Sequence, residues 1–193
     1  ASTPAATPTA PTDLTSETAE TTEVSEAPRL DISTDRLSGS ISLLGGRLDD
    51  LHLTDYRETQ KPDSPTVTFL SPVGQPGAFY ALYGWAPGQG LTPEQVPGAN
   101  TLWSVETGDV LTTASPIILA WDNGAGLTFR REISIDANYM FSISQSVENT
   151  GAGTVSLAPY GILARHGEPE DLKNFFILHE GVIGMADGEL TET

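Results

Sequence analysis

The sequence predicts an all-β fold, an antiparallel β-sandwich or barrel, on three observations. Apolar and polar residues alternate with period two from Leu30 onward, Asn- and Gly-rich clusters interrupt the alternation at short intervals, and no long stretch has the helical period. Successive side chains of a strand point to opposite faces, so this pattern marks sheets with one buried face.

The elements follow in order. Ile41 and Leu43 alternate with Ser40 and Ser42 as a first strand, and Gly45-Gly46 reads as a turn because no helix follows it. Residues 72–98 are rich in Gly and Pro and read as long loops around residues 79–83. Thr92-Pro93-Glu94-Gln95 and Pro169-Glu170-Asp171-Leu172 each read as one helical turn. The apolar run at residues 117–121 is strand-sized. Asp122-Asn123-Gly124-Ala125-Gly126 follows it as a tight turn, because Asn and Gly tolerate the positive φ a hairpin needs.

Leu127, Phe129, Ile133 and Ile135 then share one face, with Thr128, Arg130, Glu132 and Ser134 on the other; Arg131 interrupts the apolar face. Asp136-Ala137-Asn138 turns the chain into Tyr139, Phe141, Ile143 and Val147, which alternate with Met140, Ser142, Ser144 and Ser146. Asn149-Thr150-Gly151-Ala152-Gly153 is the next turn, and Val155 and Leu157 continue the alternation. Strands at such short spacing pair antiparallel.

Composition divides the chain. Residues 1–28 are Ala, Thr, Pro, Ser and Glu, with Leu14 and Val24 their only large aliphatics and no Lys or Arg. Such a segment buries too little apolar surface to offset its ordering entropy, so it reads as a disordered acidic linker ahead of a folded domain over 29–193. The start at Ala1 rather than Met reads as a processed or excised chain, and no signal peptide is present. No apolar stretch reaches the roughly 18–20 residues of a membrane span, so the polypeptide as given reads as soluble. The net charge of −17 argues against nucleic acid and against adsorption to an anionic membrane, and zero cysteines exclude disulfides and thiolate metal sites.

Candidate chemistry is sparse. His52, His166 and His179 show no metal-ligand spacing, and His52 lies opposite Leu51 and Leu53, facing solvent. Asp49-Asp50 and Glu170-Asp171 would point apart in a strand and read as a solvated acidic surface rather than a catalytic pair. No Gly-x-Ser-x-Gly occurs. Trp85, Trp103 and Trp121, with Phe79, Tyr80 and Tyr83, are candidates to line a groove for a peptide or sugar. Of these, Trp121 ends an apolar strand and reads as core, and Trp85, in a Gly/Pro loop, reads as the exposed contact. No catalytic, cofactor-binding or metal residue is assigned.

Several of these segments together resemble the first large periplasmic domain of YidC-type membrane protein insertases, in alphaproteobacterial form. They are Leu43-Leu44-Gly45-Gly46-Arg47-Leu48-Asp49-Asp50-Leu51 with Leu53-Thr54-Asp55-Tyr56, and Trp121-Asp122-Asn123-Gly124-Ala125-Gly126-Leu127 running on through Arg131 to Val147-Glu148-Asn149-Thr150. Pro159-Tyr160-Gly161-Ile162-Leu163-Ala164-Arg165-His166-Gly167 and Ile177-Leu178-His179-Glu180-Gly181 complete the set, so the likeness covers residues 30–190.

The resemblance implies a twisted β-sandwich of the galactose-mutarotase-like supersandwich type on the periplasmic face of the inner membrane. It implies no enzymatic activity and no cofactor. It implies docking to the Sec translocon and its accessory subunits, and contact with nascent inner-membrane proteins and periplasmic chaperones. Relative to the family pattern, the final strands are expected to be missing, leaving an unpaired edge. The alternative is a carbohydrate-binding or mutarotase-like protein, which rests on fold analogy alone. A passive spacer is a third reading. Oligomeric state is not legible.

Overall fold

The computed structural model describes residues 27–167 and 183–192. Among these residues thirteen strands form: β1 (Arg29–Ser33), β2 (Leu37–Ser42), β3 (Arg47–Arg57), β4 (Thr66–Leu70), β5 (Phe79–Pro87), β6 (Ser104–Thr107), β7 (Val110–Leu111), β8 (Ile117–Asp122), β9 (Leu127–Ile135), β10 (Phe141–Asn149), β11 (Leu157–Arg165), β12 (Ile183–Ala186) and β13 (Glu189–Glu192). The only helix among the described residues is one 3₁₀ turn, Pro93–Gln95, closed by a capping box between Thr92 and Gln95 at the expected place. The fold is all-β, as the period of two predicts. The expected linker and the 169–172 turn fall outside the described residues, as does His179, apart from Ala27 and Pro28 at the linker's end.

Two sheets share one core. The larger runs β11-β5-β3-β2-β1-β7, with β4 also on β3; the smaller runs β10-β9-β8-β6; and β12 and β13 form a separate hairpin. Leu30, Ile32, Ile41, Leu48 and Leu51 of the larger sheet pack in one cluster with Ile117, Leu119, Phe129 and Ile133 of the smaller. Each buried Leu or Ile contributes about 1.5–3 kcal/mol of apolar transfer, which makes this shared layer what holds the sheets together. Pairing is antiparallel except between β1 and β7, which run parallel where the sequence suggested antiparallel pairs throughout. A parallel pair needs a long crossover, and here residues 34–109 supply it.

Two features depart from the simple alternation. Residues 72–98 are not long loops around a short core. β5 occupies nine of them and pairs with β11 along its whole length. The glycines and prolines that suggested loops cluster before Phe79 and after Ala86 instead, at the strand's ends. The second departure is a bulge opposite Ser40–Ile41, where Asp49 is the unpaired extra residue of β3. This resets the alternation, so that Leu48 and Leu51, three apart, are both buried.

The turn at residues 149–153 does not make a hairpin. The chain leaves β10 at the edge of the smaller sheet and enters β11 at the edge of the larger one. The two edge strands are thus consecutive in sequence, and they belong to different layers.

Candidate functional site

An apolar groove of about 550 Å³ opens in the described structure. Its floor is set by how β3 divides its partners. Near its start β3 pairs with β5 at Leu48, and along its second half it pairs with β4. Buried Leu48, Leu51 and Ala81 lie at the base, and Leu53, Tyr56, Phe69, Phe79 and Tyr83 extend the walls. Tyr139, Phe141 and Leu163 line it from the hairpin before β10, from β10 and from β11, so both edge strands contribute to the site.

Tyr56, Phe69 and Leu163 are more than half exposed, so large apolar side chains reach solvent together here. Tyr139 holds a left-handed backbone, φ 70°, where a bulky side chain is strained. Its position is fixed by contacts on both sides. The Arg36 guanidinium lies 5.5 Å from its ring centroid, and its hydroxyl donates to Asp55 at 3.3 Å. Among the described residues, no His, Asp, Glu, Lys or Arg lines the groove. The arrangement can sequester apolar side chains.

Beneath the groove sits a buried cation. Arg131, the residue that interrupts the apolar face of β9, is fully buried on that face. Its Nη1 donates to the carbonyls of Gly45 at 3.1 Å and Gly46 at 2.8 Å, and its Nη2 donates to the carbonyl of Tyr83. Its guanidinium lies 4.5 Å from the Trp103 ring centroid and 5.7 Å from that of Tyr83. Among the described residues no carboxylate pairs with it. Burial pulls its pKa down to about 10, which leaves it charged at neutral pH. Arg131 therefore ties β9 of one sheet to the β2–β3 turn and β5 of the other.

Of the six aromatic residues picked out as groove candidates, the structure brings Phe79 and Tyr83 to the groove. Trp85 is not an exposed loop contact. It lies within β5, half-buried, 6.2 Å from Phe129 by ring centroids, with its indole nitrogen buried. Trp121 packs on the core, 5.6 Å from the same ring, as expected. Trp103 is buried against Arg131, and Tyr80 lies under Arg47. Tyr56, Phe69 and Leu163 were not legible as groove residues, because each sits at the end of a strand whose partner decides where it points.

Asp49 corrects a second expectation. It and Asp50 do take different partners, Arg29 for the first and Ser40 and His52 for the second. Asp49, however, is fully buried rather than part of a solvated surface, because the bulge turns it inward. Desolvation raises its pKa, against the pull of Arg29 and Arg47. A carboxyl with a raised folded pKa favours the native state most when protonated, and that contribution is lost as pH climbs from about 3.8 through the folded value. Chemical unfolding of the native chain and of Asp49→Asn between pH 3.5 and pH 7 should therefore show the native chain losing stability relative to the variant as pH rises. A difference that is flat with pH would mean that Asp49 titrates as it does in the unfolded chain.

A family model and individual relatives agree on what the chain is similar to. Residues 29–193 match the family model described as the YidC periplasmic domain. The membrane protein insertase YidC of Roseobacter denitrificans is 64% identical over 185 residues, 96% of this chain and 30% of that protein. Its counterpart from Ruegeria sp. is 68% identical over 156 residues, 81% of this chain and 26% of that protein. That from Cereibacter sphaeroides is 57% identical over 190 residues, 98% and 30% respectively. The chain thus spans less than a third of the length of these relatives.

Proposed function

The chain belongs to the YidC periplasmic domain family, a non-catalytic family of the inner-membrane insertase, and from that premise we propose that it is a docking module whose apolar groove receives polypeptide. The observation that carries the proposal is the groove's lining. Exposed aromatic and aliphatic side chains converge from both sheets, and among the described residues that line it tyrosine is the only titratable type. A surface of this kind is stabilised by covering it, since each exposed apolar ring is worth about 25 cal/mol per Å² removed from water.

In this reading the 29–193 domain is a supersandwich of the galactose-mutarotase-like type, held from the membrane by the 1–28 acidic linker. Its partners are nascent inner-membrane proteins, Sec translocon components with their accessory subunits, and periplasmic chaperones. The relatives' name supports the first of these. The sugar-active alternative draws no support from the lining, because sugar recognition needs convergent hydrogen-bond donors and acceptors and the groove has only tyrosine hydroxyls.

The test uses the full-length protein in inner-membrane vesicles. A photoreactive amino acid placed at Phe69 in the groove is expected to capture polypeptides undergoing insertion, whereas one at Glu132, on the opposite face of β9, is not. Equal capture from both positions, or none from Phe69, would remove the groove as the docking site.

A further inference from the structure

Two polar side chains, one on β9 and one in the hairpin after it, reach across to the larger sheet, and they differ in kind. Arg131 is enclosed between the layers, with its guanidinium on the carbonyls of Gly45, Gly46 and Tyr83. Tyr139 sits at the groove, and its partners Arg36 and Asp55 are each about half exposed and pair with each other at 3.7 Å. The buried tie is firm because water does not compete for its carbonyls. The exposed tie is weak, because water and salt compete for every part of it.

Both supports of the exposed tie are fixed. On the smaller sheet the Asp136 carboxylate accepts from the N–H groups of Asn138 at 2.7 Å and Met140 at 2.9 Å, which holds the hairpin in the shape that gives Tyr139 its φ of 70°. A bulky residue persists in that region only where its surroundings over-determine it, and here they aim the ring at the opposite sheet. On the larger sheet Thr54 donates its N–H to the Arg36 carbonyl and its hydroxyl to the Asp35 carbonyl, both at 3.0 Å, which sets Arg36 beside Asp55. The movable part between these supports is the Tyr139 ring. Leu37 and Leu53, opposite each other on β2 and β3, and Tyr56 line the groove next to the residues that the ring touches.

We propose that the Tyr139 side chain is the gate of the groove: it closes the entrance beside Leu53 when it lies on Arg36 and Asp55, and it swings aside to admit polypeptide. Turning the ring about its Cα–Cβ bond breaks exposed contacts alone and leaves the hairpin and both sheets in place, a motion that side chains make fast. An apolar side chain that enters there covers Leu53 and Phe141, and that burial offsets the lost clasp. The inference rests on the groove's being a docking site, and it adds how access to that site is controlled.

The test follows access to the groove in the full-length protein in inner-membrane vesicles. The chain has no cysteine, so Leu53→Cys places one thiol in it behind the ring, and the protein without that substitution supplies the background. The rate at which N-ethylmaleimide labels this thiol reports the open fraction. Adding Arg36→Gln or Asp55→Asn is expected to speed labelling about threefold, and Tyr139→Ala about tenfold. Leu119→Cys, fully buried in the core, should stay as slow as before in all three backgrounds. Salt at about 1 M, where the screening length falls to about 3 Å, should speed Leu53→Cys labelling with Arg36 present and not with Arg36→Gln. Equal rates with and without the three substitutions would overturn the gate. Leu119→Cys labelling that rises in step would overturn it too, because the contacts would then hold the fold rather than the entrance. Faster labelling of Leu53→Cys with no capture at Phe69 would leave the gate standing and remove polypeptide as the occupant. Capture at Phe69 with unchanged labelling would do the reverse.

Discussion

Replacing Arg131 with alanine is expected to destabilise the domain by about 4 kcal/mol, among the largest effects of any single substitution here. Three terms combine. The carbonyls of Gly45, Gly46 and Tyr83 lose their donors in an interior that water does not reach, the Trp103 ring loses the cation stacked on it, and a cavity opens between the sheets. Arg131→Met separates the terms, because it fills the space without donating. It should fall between the native chain and the alanine variant, losing about 2 kcal/mol. Urea unfolding measured by tryptophan fluorescence gives both values. If methionine is as stable as arginine, the carbonyl contacts contribute nothing net and packing alone explains the position.

Arg131 also has a signature on the alkaline side. A folded pKa pulled down to about 10 from 12.5 means that the unfolded chain binds more protons between those values. The desolvation cost of the charged guanidinium is therefore constant below about 10 and relieved above it. The native chain should gain stability relative to Arg131→Met as pH climbs from 10 toward 12.

Gly39→Ala is expected to cost about 3 kcal/mol or more, although it adds a single methyl group to a small, flexible-looking strand. Gly39 has φ 154° and lies opposite Leu51 in the β2–β3 ladder, one residue before the bulge. A Cβ there would sit 2.1 Å from the carbonyl oxygen of Asp50 and 2.8 Å from its carbon. Both are backbone atoms, so relief requires the strands to part. That displaces Ile41 and Leu51 from the core and disturbs buried Asp49 beside them. Gly77→Ala is the control, because its added Cβ meets nothing within 4 Å, and only the smaller cost of a positive φ remains. Thermal unfolding of the two variants should separate them by about 5 °C or more for a domain of this size, and equal midpoints would show that β2 and β3 yield at this point.

The candidate site was legible only in part, and the residues show why. Phe141 could be placed on the apolar face of its strand because alternation is a local property, whereas Tyr139, read as part of the same strand, lies in the turn before it with a positive φ. Phe79 and Tyr83 were among the aromatics singled out for a groove. Phe69 and Leu163 carry no local mark. Each lies within a paired strand, Phe69 in β4 and Leu163 opposite Ala81 in β11, and whether its outer side is covered depends on segments far apart in sequence. Trp85 was misplaced because Gly and Pro at the ends of β5 hid a paired strand between them.

By itself the sequence determined the all-β class, the turns at residues 122–126 and 136–138, the 3₁₀ turn after Thr92, the acidity and the likeness to its family. Each of these follows from side chains acting on their own backbone or from composition. Tertiary structure alone decided that β10 and β11 belong to different sheets, that Asp49 is buried at a bulge, and that the interruption at Arg131 ties the two layers together. Alternation fixes which face of a strand is apolar. Which faces meet, which edge stays unpaired and which charge is enclosed depend on closure between segments far apart in the chain, and only the packed sheets settle them.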